Sequence, residues 1–181
     1  MSSFIGFSSL CFSAFFSIIL LIPSSITNIK IKRFLFLFRS STLFVCISFL
    51  SLVFTYVNSD FSNYNVFQNS HSNKPLIYKI TGVWGNHEGS ILLWLCMISI
   101  YGFLYSLLSK SLNDFKIIVL KIQSALFVIF SMFIIFTSNP FLVNSLIVKE
   151  GLGLNPILQD PALAIHPPML YLGLCRFFIG V

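Results

Sequence analysis

The residues best suited to chemistry lie in one stretch, LNPILQDPALAIHPPMLY, at residues 154–171. Its histidine, His166, precedes Pro167 and Pro168, and a residue before proline is pushed out of the α region. We therefore expect His166 to lie on extended backbone, with its ring aimed by stiff neighbours. Because neutral imidazole is a common metal ligand, of haem iron among others, the stretch predicts a ligand-holding site.

Two short polar residues in the same stretch each stand directly before a proline. Asn155 precedes Pro156, and Asp160 precedes Pro161. A polar N-cap followed by proline at the first helical position is typical of a helix start. The pattern predicts two very short helical turns ahead of His166.

A second polar stretch, GVWGNHEGSILLW at residues 82–94, opens a long apolar run. Glu88 stands at the mouth of the predicted helix, where free backbone N–H groups attract a negative charge. Trp84 is placed at the depth where tryptophan anchors a helix at a membrane interface. From spacing alone, this stretch favours capping and anchoring over chemistry, and His87 by itself is a still weaker indication.

The composition identifies the elements that must position these residues as membrane helices. Of 181 residues, 56% are hydrophobic and 9% are charged, whereas about a quarter of a soluble domain is charged. The net charge of +6 comes from eleven Lys and Arg, most of which lie at the ends of apolar stretches. They are interpreted as topology markers, and no nucleic-acid partner is expected.

The hydrophobic pattern predicts an all-α fold, a polytopic transmembrane helical bundle forming a single domain over residues 1–181. Four segments are long enough to cross about 30 Å of hydrocarbon. A fifth, of thirteen residues, begins at Met169 and reaches Val181, so we expect a fragment, a split gene product or a unit completed by a partner. Residues 58–81 have no apolar period and are predicted to form a loop. The predicted spans are 4–22, 40–57, 89–108, 117–136 and, incomplete, 169–181.

The basic residues predict how the spans alternate. Lys30, Lys32, Arg33 and Arg39 crowd the link between the first two spans and mark the cytoplasm-like side. The alternation through four crossings then brings the polar loops together on the opposite, outer face. The ionisable residues expected there are His71, His87, Glu88, Asp160 and His166.

Most catalytic classes have no counterpart in the sequence. It contains no Gly-rich phosphate loop, no Ser-His-Asp candidate and no H-E-x-x-H pattern. Its four cysteines are far apart without a C-x-x-C motif and are interpreted as small buried hydrophobes. We therefore predict no catalytic residue and no self-contained enzyme, which leaves metal ligation by His166.

Three stretches carry a resemblance to a known family: TGVWGNHEGSILLW, FTSNPF at residues 136–141, and LNPILQDPALAIHPPMLYLG. They resemble the N-terminal part of the CcmF family, the membrane haem lyase component of c-type cytochrome maturation in bacteria and mitochondria. The resemblance implies that His166 is an axial ligand of haem iron. We also expect Trp84, Glu88 and Ser90 to support the site without ligating a metal, Glu88 by fixing the start of the third span and Trp84 by lining the outer surface where a porphyrin could stack. His87 is a further candidate supporting residue. Arg176 departs from the small or apolar residues usual after this motif.

The resemblance also implies a cofactor and partners. Haem, as haem b, would be shared with a tryptophan-rich WWD segment, which is absent from these 181 residues. The expected partners are the remaining CcmF portion or subunits, the haem chaperone CcmE, a CcmH-type subunit that handles apocytochrome, apocytochrome c and the membrane. The chain would thus be part of a haem lyase and not a complete enzyme alone.

Two functions from different classes remain open at this point, together with a purely structural membrane anchor. The first is a subunit that positions haem for attachment to apocytochrome c, and the second is a helical transporter or channel subunit. A transport path needs polar groups at mid-membrane depth, whereas the unusual residues here collect in outer loops, which favours the first. Twenty-two Phe and only four Ala suggest an AT-rich gene, which indicates the mitochondrial inner membrane, with a bacterial inner membrane as the alternative.

Overall fold

The chain is built from helices in a computed structural model that describes residues 1–21, 31–108, 114–145 and 148–177. Within those ranges the only β-pairing is one isolated antiparallel bridge between Asn63 and Val143. The helices are α1 (Ser2–Leu21), α2 (Ile31–Val57), α3 (Tyr64–Asn69), α4 (Leu76–Gly82), α5 (His87–Leu108), α6 (Asp114–Phe136) and α7 (Pro161–Phe177), with a 3₁₀ turn at Pro156–Gln159.

Four of these helices, α1, α2, α5 and α6, are long and apolar enough to cross a membrane. Large hydrophobic side chains cover their outward surfaces, and Phe4, Phe54 and Phe136 are among the most exposed. A helix that is hydrophobic all round belongs in a protein core or a lipid bilayer. The predicted class, an all-α helical membrane bundle, is confirmed.

Small polar residues hold α1 against α2 in the interior. The hydroxyl of Ser41 lies 3.0 Å from that of Ser13 and 2.7 Å from that of Ser17, and it also donates to the Ser13 carbonyl. All three serines are buried. Small residues allow membrane helices to approach closely, and buried hydroxyls can bond across the interface.

One end of the bundle carries His71, His87 and His166 and is called the histidine end here. Asn63 ties three elements together there, because its amide nitrogen donates to the Ser3 hydroxyl at 3.1 Å and to the Pro140 carbonyl at 2.9 Å. At the opposite end, Arg39 donates to the hydroxyl and carbonyl of Ser106, at 3.2 Å each. The helices are therefore bonded to one another at both ends.

Several predicted boundaries differ from the structure. The second helix begins at Ile31 and not at residue 40. No helix-breaking residue lies between Ile31 and Arg39, and the Arg39 guanidinium donates to the Ser106 hydroxyl. The polar segment predicted as loop contains α3, which Asn63 caps by accepting from the Val66 N–H, and also α4. The helix of the fifth predicted span, α7, begins at Pro161, eight residues before the predicted start. Residues 22 and 178–181 of the predicted spans lie outside the described residues.

Candidate functional site

The candidate site starts where Asp160 begins α7. The Asp160 carboxylate accepts from the backbone N–H groups of Ala162 at 2.8 Å and Leu163 at 3.2 Å. The predicted N-cap is therefore confirmed, and the first predicted turn is present as the 3₁₀ turn after Asn155. The second predicted turn is not short, because it continues as a helix of 17 residues.

His166 lies inside α7, so the prediction of extended backbone is wrong. Pro167 and Pro168 are both interior residues of the same helix. The preference of a pre-proline residue is a local bias, and a capped helix that packs on a neighbour overrides it. The ring of His166 is consequently aimed by helix geometry.

The proline pair leaves a backbone carbonyl without its normal partner. Pro168 has no N–H for the carbonyl of Ala164, four residues earlier. The indole nitrogen of Trp84 donates to that carbonyl at 2.8 Å. Since an unpaired carbonyl is costly where water is scarce, this bond stabilises the interior of α7.

Further bonds align α7 alongside α5. The hydroxyls of Ser90 and Tyr171 lie 2.6 Å apart, and the Tyr101 hydroxyl donates to the Leu172 carbonyl at 3.2 Å. The ring of Trp94 stacks on Tyr171, with 5.6 Å between centroids and 9° between planes. The two helices therefore run parallel, with their first turns at the histidine end.

A groove of about 620 Å³ lies between these two helices, a volume usual for small-molecule sites. Trp84 and His87 line it, as do two groups without a hydrogen-bond partner in the described part of the chain, the Thr81 hydroxyl and the Trp94 indole nitrogen. His166 is not among the lining residues. The full lining is Thr81, Trp84, Gly85, Asn86, His87, Ser90, Ile91, Trp94, Leu163, Ala164, Pro167, Tyr171 and Leu174.

The three histidines differ in their partners. The His87 Nδ1 atom lies 3.2 Å from the Ser138 hydroxyl. The His71 Nδ1 atom accepts from the Asn73 N–H at 3.2 Å and lies 3.7 Å from a Glu150 carboxylate oxygen. The side chain of His166 is exposed and makes no hydrogen bond or ion pair with any described residue. Of the described histidines, only His166 has two ring nitrogens that make no hydrogen bond or ion pair.

The start of α5 is capped by Asn86, a residue that the sequence reasoning missed. Its side-chain oxygen accepts from the Gly89 N–H at 2.8 Å, and its amide nitrogen donates to the Tyr56 hydroxyl at 3.0 Å. Glu88 lies in the first turn, as predicted, and accepts from the Asn65 amide at 3.3 Å. An asparagine directly before a helical run is the sequence signal that could have found this cap.

A loop contact beside the site holds a carboxylate in its charged form. The Ser72 hydroxyl and backbone N–H donate to Glu150 at 2.6 and 2.8 Å. These bonds favour the ionised form and hold the pKa of Glu150 below its usual range, with a smaller contribution from nearby His71. The loop after α6 is thereby bonded to the loop between α3 and α4.

The fold and the site together define a polytopic helical membrane protein that presents one free histidine at one end. Comparison with known proteins agrees. Residues 84–181 match the family described as cytochrome C assembly protein. The cytochrome c-type biogenesis protein CycK of Bradyrhizobium diazoefficiens is 53% identical over 139 residues, which are 76% of this chain and 21% of CycK.

Other relatives lead to the same family. The cytochrome c-type biogenesis protein CcmF of Escherichia coli is 42% identical over 74% of this chain and 21% of its own length. A solved structure of cytochrome c haem lyase CcmF shares the fold, with a TM-score of 0.80 and 24% identity over 99% of this chain and 29% of the other. The chain thus belongs to the cytochrome c assembly protein family, and it spans about a fifth of the length of the curated relatives. The resemblance to the N-terminal part of CcmF is confirmed, and these curated relatives are described as cytochrome c-type biogenesis proteins.

Proposed function

We propose that this chain forms part of a membrane haem lyase and that His166 is an axial ligand of haem iron during attachment to apocytochrome c. The observation that carries the proposal is that the His166 ring has no hydrogen-bond partner among the described residues. His166 is exposed, and among the described residues neither ring nitrogen is engaged. A neutral imidazole with a free nitrogen is what iron ligation requires.

The donor set fits haem better than a metal ion held by protein alone. No group of three or more His, Cys, Asp or Glu converges in the described ranges. A haem iron receives four of its ligands from the porphyrin and needs only an axial side chain from the protein. A single exposed imidazole, such as that of His166, can meet that need.

The surface around His166 also suits a flat ring. Ala162, Met169 and Gly173 lie four residues before, three after and seven after His166, and so share its face of α7. Ala162 and Met169 are exposed, and a side chain added at Gly173 would meet nothing within 4 Å. This face leaves room for a porphyrin that another segment or subunit holds.

The three supporting residues act from the other side of α7 or from the start of α5. Trp84 and His87 line the groove, which does not include His166. We therefore do not expect Trp84 to stack on a ring bound at His166. Trp84 instead supports the site through its hydrogen bond to the Ala164 carbonyl. Glu88 supports the site through its bond to Asn65, which fixes the first turn of α5.

The partners and compartment follow from the proposed role. We expect the WWD-bearing portion of CcmF to complete the haem site, CcmE to deliver haem and a CcmH-type subunit to present apocytochrome c. The haem supplies vinyl groups to which apocytochrome cysteine thiols add, and the chain's own contribution is to bind and orient. The protein is a multi-pass membrane protein, and we assign it to the mitochondrial inner membrane, with a bacterial inner membrane as the alternative.

The experiment is His166→Ala in the assembled complex, with His71→Ala as the matched control at the same end. We expect His166→Ala to remove or shift the haem absorbance and abolish holocytochrome c, and His71→Ala to leave both intact. Added imidazole should partly restore the spectrum by filling the vacant axial position. An unchanged haem spectrum in a stably assembled His166→Ala complex would refute the proposal.

A further inference from the structure

One carbonyl in α7 has lost both of its possible helical donors. In a helix, a carbonyl accepts from the N–H four residues later, or three residues later in a 3₁₀ turn. For Ala164 these two positions are Pro168 and Pro167, which have no N–H. The carbonyl of Leu163 can still reach the N–H of His166 three residues on. Ala164 is thus the residue whose carbonyl loses both helical donors to the proline pair.

Trp84 supplies the missing donor from outside the helix. Its indole N–H donates to the Ala164 carbonyl at 2.8 Å across 80 residues of sequence. Ala164 itself is buried, with 6% of its surface exposed. Water therefore has little access to the Ala164 carbonyl, and the Trp84 N–H provides its hydrogen bond instead.

We propose that Trp84 is a positioning residue for His166, acting through the carbonyl that Pro167 and Pro168 release. His166 lies two residues after Ala164, and the helix turns by about 200° over that distance. The bond from Trp84, in the turn before α5, to the Ala164 side of α7 thus fixes how the opposite side, which carries the imidazole, is presented. The inference rests on the proposed function for the role of His166, while the bond itself is independent of haem.

A double-variant experiment in the full chain and its complex tests this coupling. Trp84→Phe keeps an aromatic ring but removes the N–H. Pro168→Ala restores the helical donor to Ala164. We expect Trp84→Phe to speed amide exchange at Ala162, Leu163 and Ile165 by roughly threefold to tenfold, the loss of one hydrogen bond. The haem absorbance should broaden or shift in the same variant.

Adding Pro168→Ala to Trp84→Phe should return both the exchange rates and the haem absorbance toward the unmodified protein. Pro167→Ala is the matched control, because in an α-helix its new N–H pairs with Leu163 four residues back and reaches Ala164 only in a 3₁₀ turn. It should therefore restore much less. Trp94→Phe is the second control, since the Trp94 indole nitrogen has no partner among the described residues. Each Trp variant therefore removes one indole N–H from the same groove.

The outcomes separate this inference from the function on which it rests. Unchanged exchange in Trp84→Phe, or equal rescue by Pro167→Ala and Pro168→Ala, would overturn the coupling. Faster exchange with an unaltered haem spectrum, while His166→Ala loses haem, would overturn the positioning role and leave the function standing. A haem spectrum indifferent to His166→Ala would overturn both, whatever the exchange rates.

Discussion

At the scale of single residues, Gly89 shows how tightly the start of α5 is packed. A Cβ atom at this position would lie 1.7 Å from the Val83 carbonyl oxygen, which is backbone and cannot swing aside. We expect Gly89→Ala to destabilise the protein by roughly 1–3 kcal/mol or more, the usual cost of overpacking. The unfolding midpoint in detergent measures this.

Gly173→Ala is the matched control, since a Cβ atom there meets nothing within 4 Å. Alanine also favours the helix relative to glycine, so stability should be unchanged or slightly higher. Equal midpoints for the two variants would contradict the packing argument.

Asn86 can be tested by exchanging its donor for an acceptor. In Asn86→Asp the carboxylate would face the Tyr56 hydroxyl and the carbonyls of Gly82 and Val83, which now accept from the amide. Loss of those donors should cost about 1–3 kcal/mol, more if the carboxylate stays charged. Asn58→Asp is the control, because its exposed amide donates only to the Phe54 carbonyl. Comparable losses in thermal denaturation of both variants would rule out a special role for Asn86.

The same residues show what a sequence can predict about such a site. Asp160 accepts from backbone N–H groups two and three positions on, so its local pattern was sufficient to predict the cap. The conformation of His166 depends on Trp84, whose bond to Ala164 spans 80 residues. Local proline rules therefore predicted extended backbone, whereas the residue lies in an α-helix. The separation of His166 from the groove follows from helix packing, which no local pattern encodes.

At the scale of elements, the α1–α2 interface depends on the small size of Ser41. This side chain is completely buried between the two helices. We expect Ser41→Leu to separate them and lower stability by about 1–3 kcal/mol. Ser41→Ala should cost less than about 1 kcal/mol, since an average hydrogen bond between membrane helices is weak. Resistance to unfolding by SDS provides the measurement.

The adjacent Ser40 offers a control on the same turn. It is only partly buried and lines a shallow groove with Lys32 and Phe36. Ser40→Leu should leave the SDS midpoint nearly unchanged. A loss as large as that of Ser41→Leu would show that the effect comes from the substituted residue type and not from the interface.

The loop contact at Glu150 predicts a dependence on acid. Because folding lowers its pKa, its stabilising contribution is complete above the ordinary glutamate pKa of about 4.3 and is lost as pH falls through the lowered value. Spin labels at Asn73 and Lys149 should report a distance distribution that broadens in that acidic range. In Glu150→Ala it should already be broad at pH 7 and respond little to acid. A narrow distribution in that variant would exclude the contact as the cause.

At the scale of the whole molecule, the order of helices fixes a testable orientation. α1 and α5 begin, and α2 and α6 end, at the histidine end, which carries His71, His87 and His166. Lys32 lies near the opposite end. We expect single cysteines at Tyr64 and Lys149, both exposed, to react with a charged reagent from one membrane side. A cysteine at Lys32 should react from the other side, with the native cysteines replaced. Reaction of all three from one side would contradict the arrangement.

The buried amide of Asn63 also has a consequence for how the protein is made. Its two donor contacts join Ser3 to Pro140, and Pro140 follows Asn63 by 77 residues. At about 5–20 residues per second, translation of that interval takes roughly 4–15 s. During this time α1 and α2 have been synthesised, but the Asn63 amide still lacks the Pro140 carbonyl, its second acceptor. The histidine end of the α1–α2 hairpin is therefore completed only after the segment that follows α6 has been synthesised.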